Sequence, residues 1–249
     1  MKLGIAEFSV PGKNVGEKLR ALERYKLWLE LANDGKIRKF ERWKELLSTS
    51  SVRVNSVQAY IQHRLSFLSS EEAERKAAIT HVKQSIVIAA EFSANNVVTV
   101  LCYGEPGVEK PRRETVRVLK DLGKTAEDRG VTIAVEPLDV KRTSFMPSAE
   151  EVWKLVEEVG SERVKLMLDT GHMWDNKEDI GGLLQRFGQE IVELHLKDSN
   201  SLAPGKGEID FRSLIDVCRR LSGLKCLEYR PSEKPENDLE IALRALKNV

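Results

Sequence analysis

The chain has 249 residues, 41% apolar and 32% charged, enough to bury one large core and close to the roughly 250 residues of an eight-stranded β/α barrel. Forty Lys and Arg against 39 Asp and Glu leave a formal charge of +1, which excludes the strong basic field of a nucleic-acid-binding protein and points to a small-molecule partner. No apolar run approaches the roughly 18 residues of a membrane span, and "MKLGIAEFSV" does not have the form of a secretory signal, so the expectation is a soluble cytoplasmic protein with no nucleic-acid or membrane partner.

Strand-like and helix-like runs alternate along the chain. The strand candidates are "KLGIAEF" near residue 2, "YKLWLEL" near 25, "VRVNSV" near 52, "NVVTVLCY" near 96, "VTIAVE" near 131, "VKLMLD" near 164, "IVELHLK" near 191 and "LKCLEY" near 224. Between them lie amphipathic segments such as "ERWKELLS", "EEAERKAAITHVKQSIVIAAEFS" and "AEEVWKLVEEVG", with apolar residues three and four apart. Ser70 and Ser148 are expected N-caps, and Gly130 and Gly160 expected helix stops. The eight-fold count favours a single (β/α)8 TIM barrel over residues 1–249 rather than an open doubly wound sheet. Neither the G-x-G-x-x-G nor the P-loop pattern occurs. Cys102, Cys218 and Cys226 have no metal-ligand spacing and form no even disulfide set, which fits core thiols in a reducing compartment.

Four of the later strands end, or nearly end, on a polar residue: Glu136, Asp169, His195 and Glu228, at steps of 33, 26 and 33 residues. In a parallel barrel they converge on the C-terminal rim, where such residues read as catalytic. Three carboxylates and one imidazole form a hard donor set suited to one divalent ion, Mn²⁺, Mg²⁺ or Co²⁺, with Zn²⁺ also admissible. Such an ion polarises a carbonyl and stabilises an enediolate.

The segments "VEPLD", "LDTGH", "HLKD" and "LEYRP", in this order, resemble the xylose isomerase-like barrels, in particular the sugar (phosphate) isomerase/epimerase group. The resemblance covers nearly the whole chain and is strongest after residue 130. It implies a metal-dependent sugar isomerase or epimerase. Glu136, Asp169, His195 and Glu228 would bind one metal, Glu136 and Glu228 would double as the acid/base pair on opposite faces of the substrate, and His172 would contact a substrate oxygen. A homo-oligomer is compatible with the family.

Two positions depart from the ketose 3-epimerase pattern: Ser201 stands where that subgroup has an arginine, and Arg142 where it has a second glutamate. Arg142, or Lys141, is therefore a candidate for meeting a substrate phosphate or carboxylate. Strand parity puts Lys197 on the side of His195, as a substrate or orienting group, and Asp198 on the other. It also turns Glu193 into the barrel, where it needs a partner.

Lesser candidates for the pocket are His63 after the third strand, Glu30 at the end of the second, the aromatic residues Trp28, Tyr103 and Trp174, and the loop Pro204–Asp210, either as a cover or only as the connection into the next helix. His81 is expected to be structural. The competing readings are an inosose-dehydratase-like lyase on the same site, an endonuclease IV-like nuclease and a non-catalytic sugar-binding barrel. Four histidines are too few for the nuclease's three-zinc cluster.

Overall fold

The structure, a computed structural model, describes residues 3–247. Eight parallel strands close a barrel in sequential order: β1 (Leu3–Ala6), β2 (Trp28–Ala32), β3 (Val54–Gln58), β4 (Asn96–Val100), β5 (Thr132–Glu136), β6 (Val164–Asp169), β7 (Ile191–Leu196) and β8 (Leu224–Leu227). Lys2, expected in the first strand, lies outside the described residues. The outer layer holds α1 (Val15–Tyr25), α2 (Ile37–Leu47), α3 (Glu72–Glu91), α4 (Pro111–Glu127), α5 (Ala149–Val159), α6 (Thr170–Asp175), α7 (Ile180–Arg186), α8 (Phe211–Arg220) and α9 (Pro235–Lys247). Among the described residues no helix is long and apolar enough to cross a membrane.

Local chemistry sets several boundaries. Ser148 and Glu151 form a reciprocal capping box that opens α5, and Gly160 closes it in the left-handed region at φ 63°. The expected cap at Ser70 does not form: α3 starts at Glu72, with Glu71 as a cap that makes no side-chain bond. The Ser69 hydroxyl instead bonds Glu74, inside the helix. Tyr25 and Lys26, expected in the second strand, are the last residue of α1 and its left-handed cap.

The main apolar core lies between the sheet and the helices, around Leu22, Trp43, Ile86, Leu119, Val135 and Leu194. Inside the barrel the two sides differ. Val98, Ala134 and Met167 make a small apolar cluster on the β4–β6 side, whereas Glu30, Ser56, Asn96, Glu193, His195 and Cys226 make a buried polar interior. Two register shifts lie at this level. Leu29 pairs with Val54 but Glu30 with Ser56, and Leu166 pairs with Ile191 but Met167 with Glu193. Each inserts one residue and re-aims the side chains that follow.

Candidate active site

The C-terminal ends of the strands open into a cavity of about 520 Å³ whose lining includes Glu136, Glu228, His172, Lys197 and Arg142, within the usual range for small-molecule sites. The strand-end residues meet at its floor. His195 is fully buried, and its Nδ1 lies 3.7 Å from Glu228 Oε1, 3.8 Å from Glu136 Oε1 and 3.9 Å from Asp169 Oδ2. This Nδ1 has no hydrogen-bond partner among the described residues. A buried imidazole nitrogen facing three carboxylate oxygens is the arrangement a divalent cation satisfies, and the oxygen-rich set suits a hard ion.

The residues are held from outside the cluster. Asp169 caps α6, its Oδ1 accepting from the backbone N–H groups of Gly171 (2.7 Å) and His172 (3.0 Å), so that Oδ2 turns to the cluster. Glu228 accepts from Gln58 Nε2 at 2.8 Å and from Lys197 Nζ at 2.9 Å. The ammonium of Lys197 is also 2.9 Å from Asp169 Oδ2. A Cβ at Gly171 would stand 2.8 Å from Lys197 Cε, so a larger residue there displaces the lysine side chain. The Thr170 hydroxyl donates to the Lys197 carbonyl at 2.7 Å and accepts from its N–H at 2.9 Å, joining "LDTGH" to "HLKD".

His195 Nε2 lies 3.2 Å from Glu30 Oε2, a carboxylate behind the ring of the kind that fixes ligating histidines. The Ser56 hydroxyl is 2.8 Å from Glu30 Oε2 and 2.7 Å from Glu193 Oε1, and Asn96 Nδ2 donates to Glu193 Oε2 at 3.0 Å. One hydroxyl hydrogen cannot serve two carboxylates, so one carboxyl carries a proton of its own. Glu193 is that group: burial, reinforced by Glu30, pushes its pKa up to about 8. The partner that parity demanded for Glu193 is therefore Ser56 with Asn96. Glu30 lies in the middle of β2, not at its end.

Glu136 and Glu228 differ in charge. Burial raises Glu136 to about 7 against the pull of His195 and His172. Glu228 is also opposed by burial, but Lys197 and His195 outweigh it and hold the carboxyl well below the usual range. Near neutral pH the pair offers one group close to half-protonated and one ionised. His172 donates Nδ1–H to Asp139 Oδ2 at 2.6 Å and places Nε2 3.6 Å from Glu136 Oε1.

Several expectations change here. Arg142 lines the cavity but is paired with Asp139 and stands 3.9 Å from Asp175, and Lys141 is paired with Asp175 at 2.7 Å. Trp28 lines a crevice at the opposite end of β2, with Lys44 and Arg53, and Trp174 is absent from the cavity lining, whereas Tyr103 and His63 belong to it. The Pro204–Asp210 loop is absent from the cavity lining. Asp198 gathers it instead, accepting from the N–H groups of Ser199 (2.8 Å), Gly205 (2.9 Å), Gly207 (2.9 Å) and Ile209 (3.0 Å). Sequence reading assigned no role to Asp139, Gln58 or Thr170. Gln58 had a signal, since it too is a polar residue closing a strand, whereas Asp139 and Thr170 lie beyond theirs.

A D-psicose 3-epimerase of Enterocloster bolteae is 33% identical over 111 residues, 45% of this chain and 37% of that protein. An inosose dehydratase of Salmonella typhimurium is 27% identical over 195 residues, 68% of this chain and 64% of that protein. Across the first four epimerase relatives the matched stretch spans 32% to 52% of the relative's own length. Among solved structures, the E. coli 3-keto-D-glucoside 4-epimerase YcjR superposes with a TM-score of 0.89 at 18% identity, covering 100% of both chains. The IOLI protein with a bound zinc atom superposes with a TM-score of 0.82 at 20% identity over 98% of this chain and 96% of that one. Residues 14–249 match the family model described as xylose isomerase-like TIM barrel, and the chain belongs to that family.

Proposed function

We propose that the protein is a metal-dependent isomerase or epimerase of a small sugar or sugar derivative. The observation that carries this reading is the pair of carboxyls, Glu136 and Glu228, that face the buried His195 Nδ1 on the cavity floor at 3.8 and 3.7 Å. Glu136, Asp169, His195 and Glu228 would hold one divalent ion, Mn²⁺, Mg²⁺ or Co²⁺, with Zn²⁺ admissible. When bound, such an ion supplies Lewis-acid polarisation of a carbonyl, which makes the neighbouring C–H acidic enough for a carboxylate to deprotonate.

Glu228, ionised and fixed by Gln58 and Lys197, takes the proton from the carbon beside the carbonyl. Glu136 returns a proton, drawn from solvent, to the enediolate from the other side. Lys197 and the Asp139-oriented His172 supply hydrogen bonds to substrate oxygens. Arg142, engaged by Asp139, stiffens the wall behind His172. Delivery to the same carbon on the opposite face is epimerisation, and delivery to the neighbouring carbon is aldose–ketose isomerisation.

The inosose dehydratase relatives, aligned over 68% of this chain, support a second reading in which the same proton abstraction is followed by loss of a β-hydroxyl. Incubation of the Mn²⁺-loaded protein in D₂O with ketoses, inosose and hydroxypyruvate, followed by NMR, tests both. Deuterium enters the carbon beside the carbonyl, and Glu136→Gln and Glu228→Gln each lower its incorporation by about 10²- to 10⁴-fold. Absence of exchange with every compound and every divalent metal overturns the proposal.

A further inference from the structure

The basic residues lining the cavity differ in whether their charge is already answered. Lys197 faces Asp169 and Glu228, and Arg142 faces Asp139. His63 is held by the Tyr60 carbonyl at 2.8 Å and by Arg64 Nε at 3.0 Å. Arg230 alone among the described cations of the lining has a side chain with no hydrogen-bond or ion-pair partner. The carboxylates that line the cavity are Glu136 and Glu228, both committed to the floor, so no acid of the lining is left to neutralise it.

The base of Arg230 is fixed although its head is free. Its backbone N–H donates to the Ser201 carbonyl at 2.8 Å, which ties the loop after β8 to the loop after β7. Asn200 and Ser201 hold left-handed φ values of 57° and 59° and both line the cavity. For residues other than glycine that conformation costs about 1–2 kcal/mol each, and such strain gathers at ligand sites.

We propose that Arg230 binds an anionic group of the substrate, a carboxylate or a phosphate ester, at the mouth of the cavity. The guanidinium has five donors, no acceptor and a planar fork that matches such groups two bonds at a time. This rests on the sugar isomerase reading and narrows its substrate to an acidic sugar derivative. It also moves the anion-binding role from Arg142 to the other wall.

The test uses a matched set: D-fructose, D-fructose 6-phosphate and D-fructuronate. Affinity for the Mn²⁺-loaded protein is measured by calorimetry and turnover by NMR, in the wild type and in Arg230→Gln. The expected result is that the phosphate, the uronate or both bind the wild type at least tenfold more tightly than fructose, and that Arg230→Gln removes the preference while changing fructose affinity less than twofold. The compound whose affinity collapses identifies the anion. Equal weakening of all three compounds, or no preference in the wild type, overturns the inference. Preferential binding without exchange in any of the three compounds leaves the role of Arg230 standing, and the isomerase reading falls only when the wider panel of ketoses, inosose and hydroxypyruvate shows no exchange with any divalent metal.

Discussion

Two buried histidines show what decides the state of an imidazole here. His81, on α3, is 3% exposed. Burial pushes its pKa down to about 4, opposed only by a hydrogen bond to the Asn33 backbone. His195 is equally buried and is also disfavoured by desolvation, yet Glu30, Glu228 and Glu136 raise it well above the ordinary value. Burial alone keeps a histidine neutral, and a ring of carboxylates reverses the sign. The first environment is structural. The second is a place prepared for positive charge, whether a proton or a metal ion.

The largest expected effect breaks the comparison at His81. The unfolded imidazole takes up a proton near pH 6.5 and the folded one only near pH 4, so between these values the unfolded state binds more protons. Stability is complete above about pH 6.5 and falls as the pH drops through the window, by about 2–3 kcal/mol from this group. His81→Gln flattens the urea-derived stability curve between pH 6.5 and 4 without changing Mn²⁺ affinity. A variant with the same acid slope as the wild type assigns the loss to other groups.

At His195 the comparison is sharpened by removing the carboxylate behind it. Glu30→Ala leaves Nε2 without its acceptor, and Mn²⁺ affinity falls about 10- to 100-fold, read by calorimetry. A metal ion has to displace the proton that the carboxylates favour on His195, so binding in the wild type weakens on acidification and releases protons. Calorimetry in two buffers of different ionisation enthalpy counts them. Unchanged affinity in Glu30→Ala shows that Asp169, Glu136 and Glu228 orient the imidazole without help.

The same contrast governs what the sequence makes visible. Strand-end charges at β5, β6, β7 and β8 interrupt apolar runs at the barrel period, so Glu136, Asp169, His195 and Glu228 are legible, as is the alternation that sets the fold. Contacts across the barrel carry no such mark. Gln58 meets Glu228 across 170 positions and Ser56 meets Glu193 across 137, and only closure of the sheet brings them together. The one-residue shifts opposite Asn55 and Val192 also defeat simple parity counting. Charge exchange at position 142 was readable, but not that Asp139, three residues earlier, neutralises it.

The smallest effect belongs to Gln58, which ties the β1–β4 half of the barrel to the chemistry of the other half. Its amide donates to Glu228 Oε1 at 2.8 Å, and a hydrogen bond to a charged group contributes about 1.5–3 kcal/mol, part of which water or Lys197 restores when the amide is removed. Gln58→Leu therefore lowers kcat about three- to tenfold, with a smaller change in KM, because the carboxylate proposed to take the proton is oriented less well. Gln58→Glu is worse, since it sets a second negative charge beside an ionised Glu228. A Gln58→Leu enzyme with wild-type kcat shows that Lys197 alone holds Glu228, and confines the proton-transfer site to β5–β8.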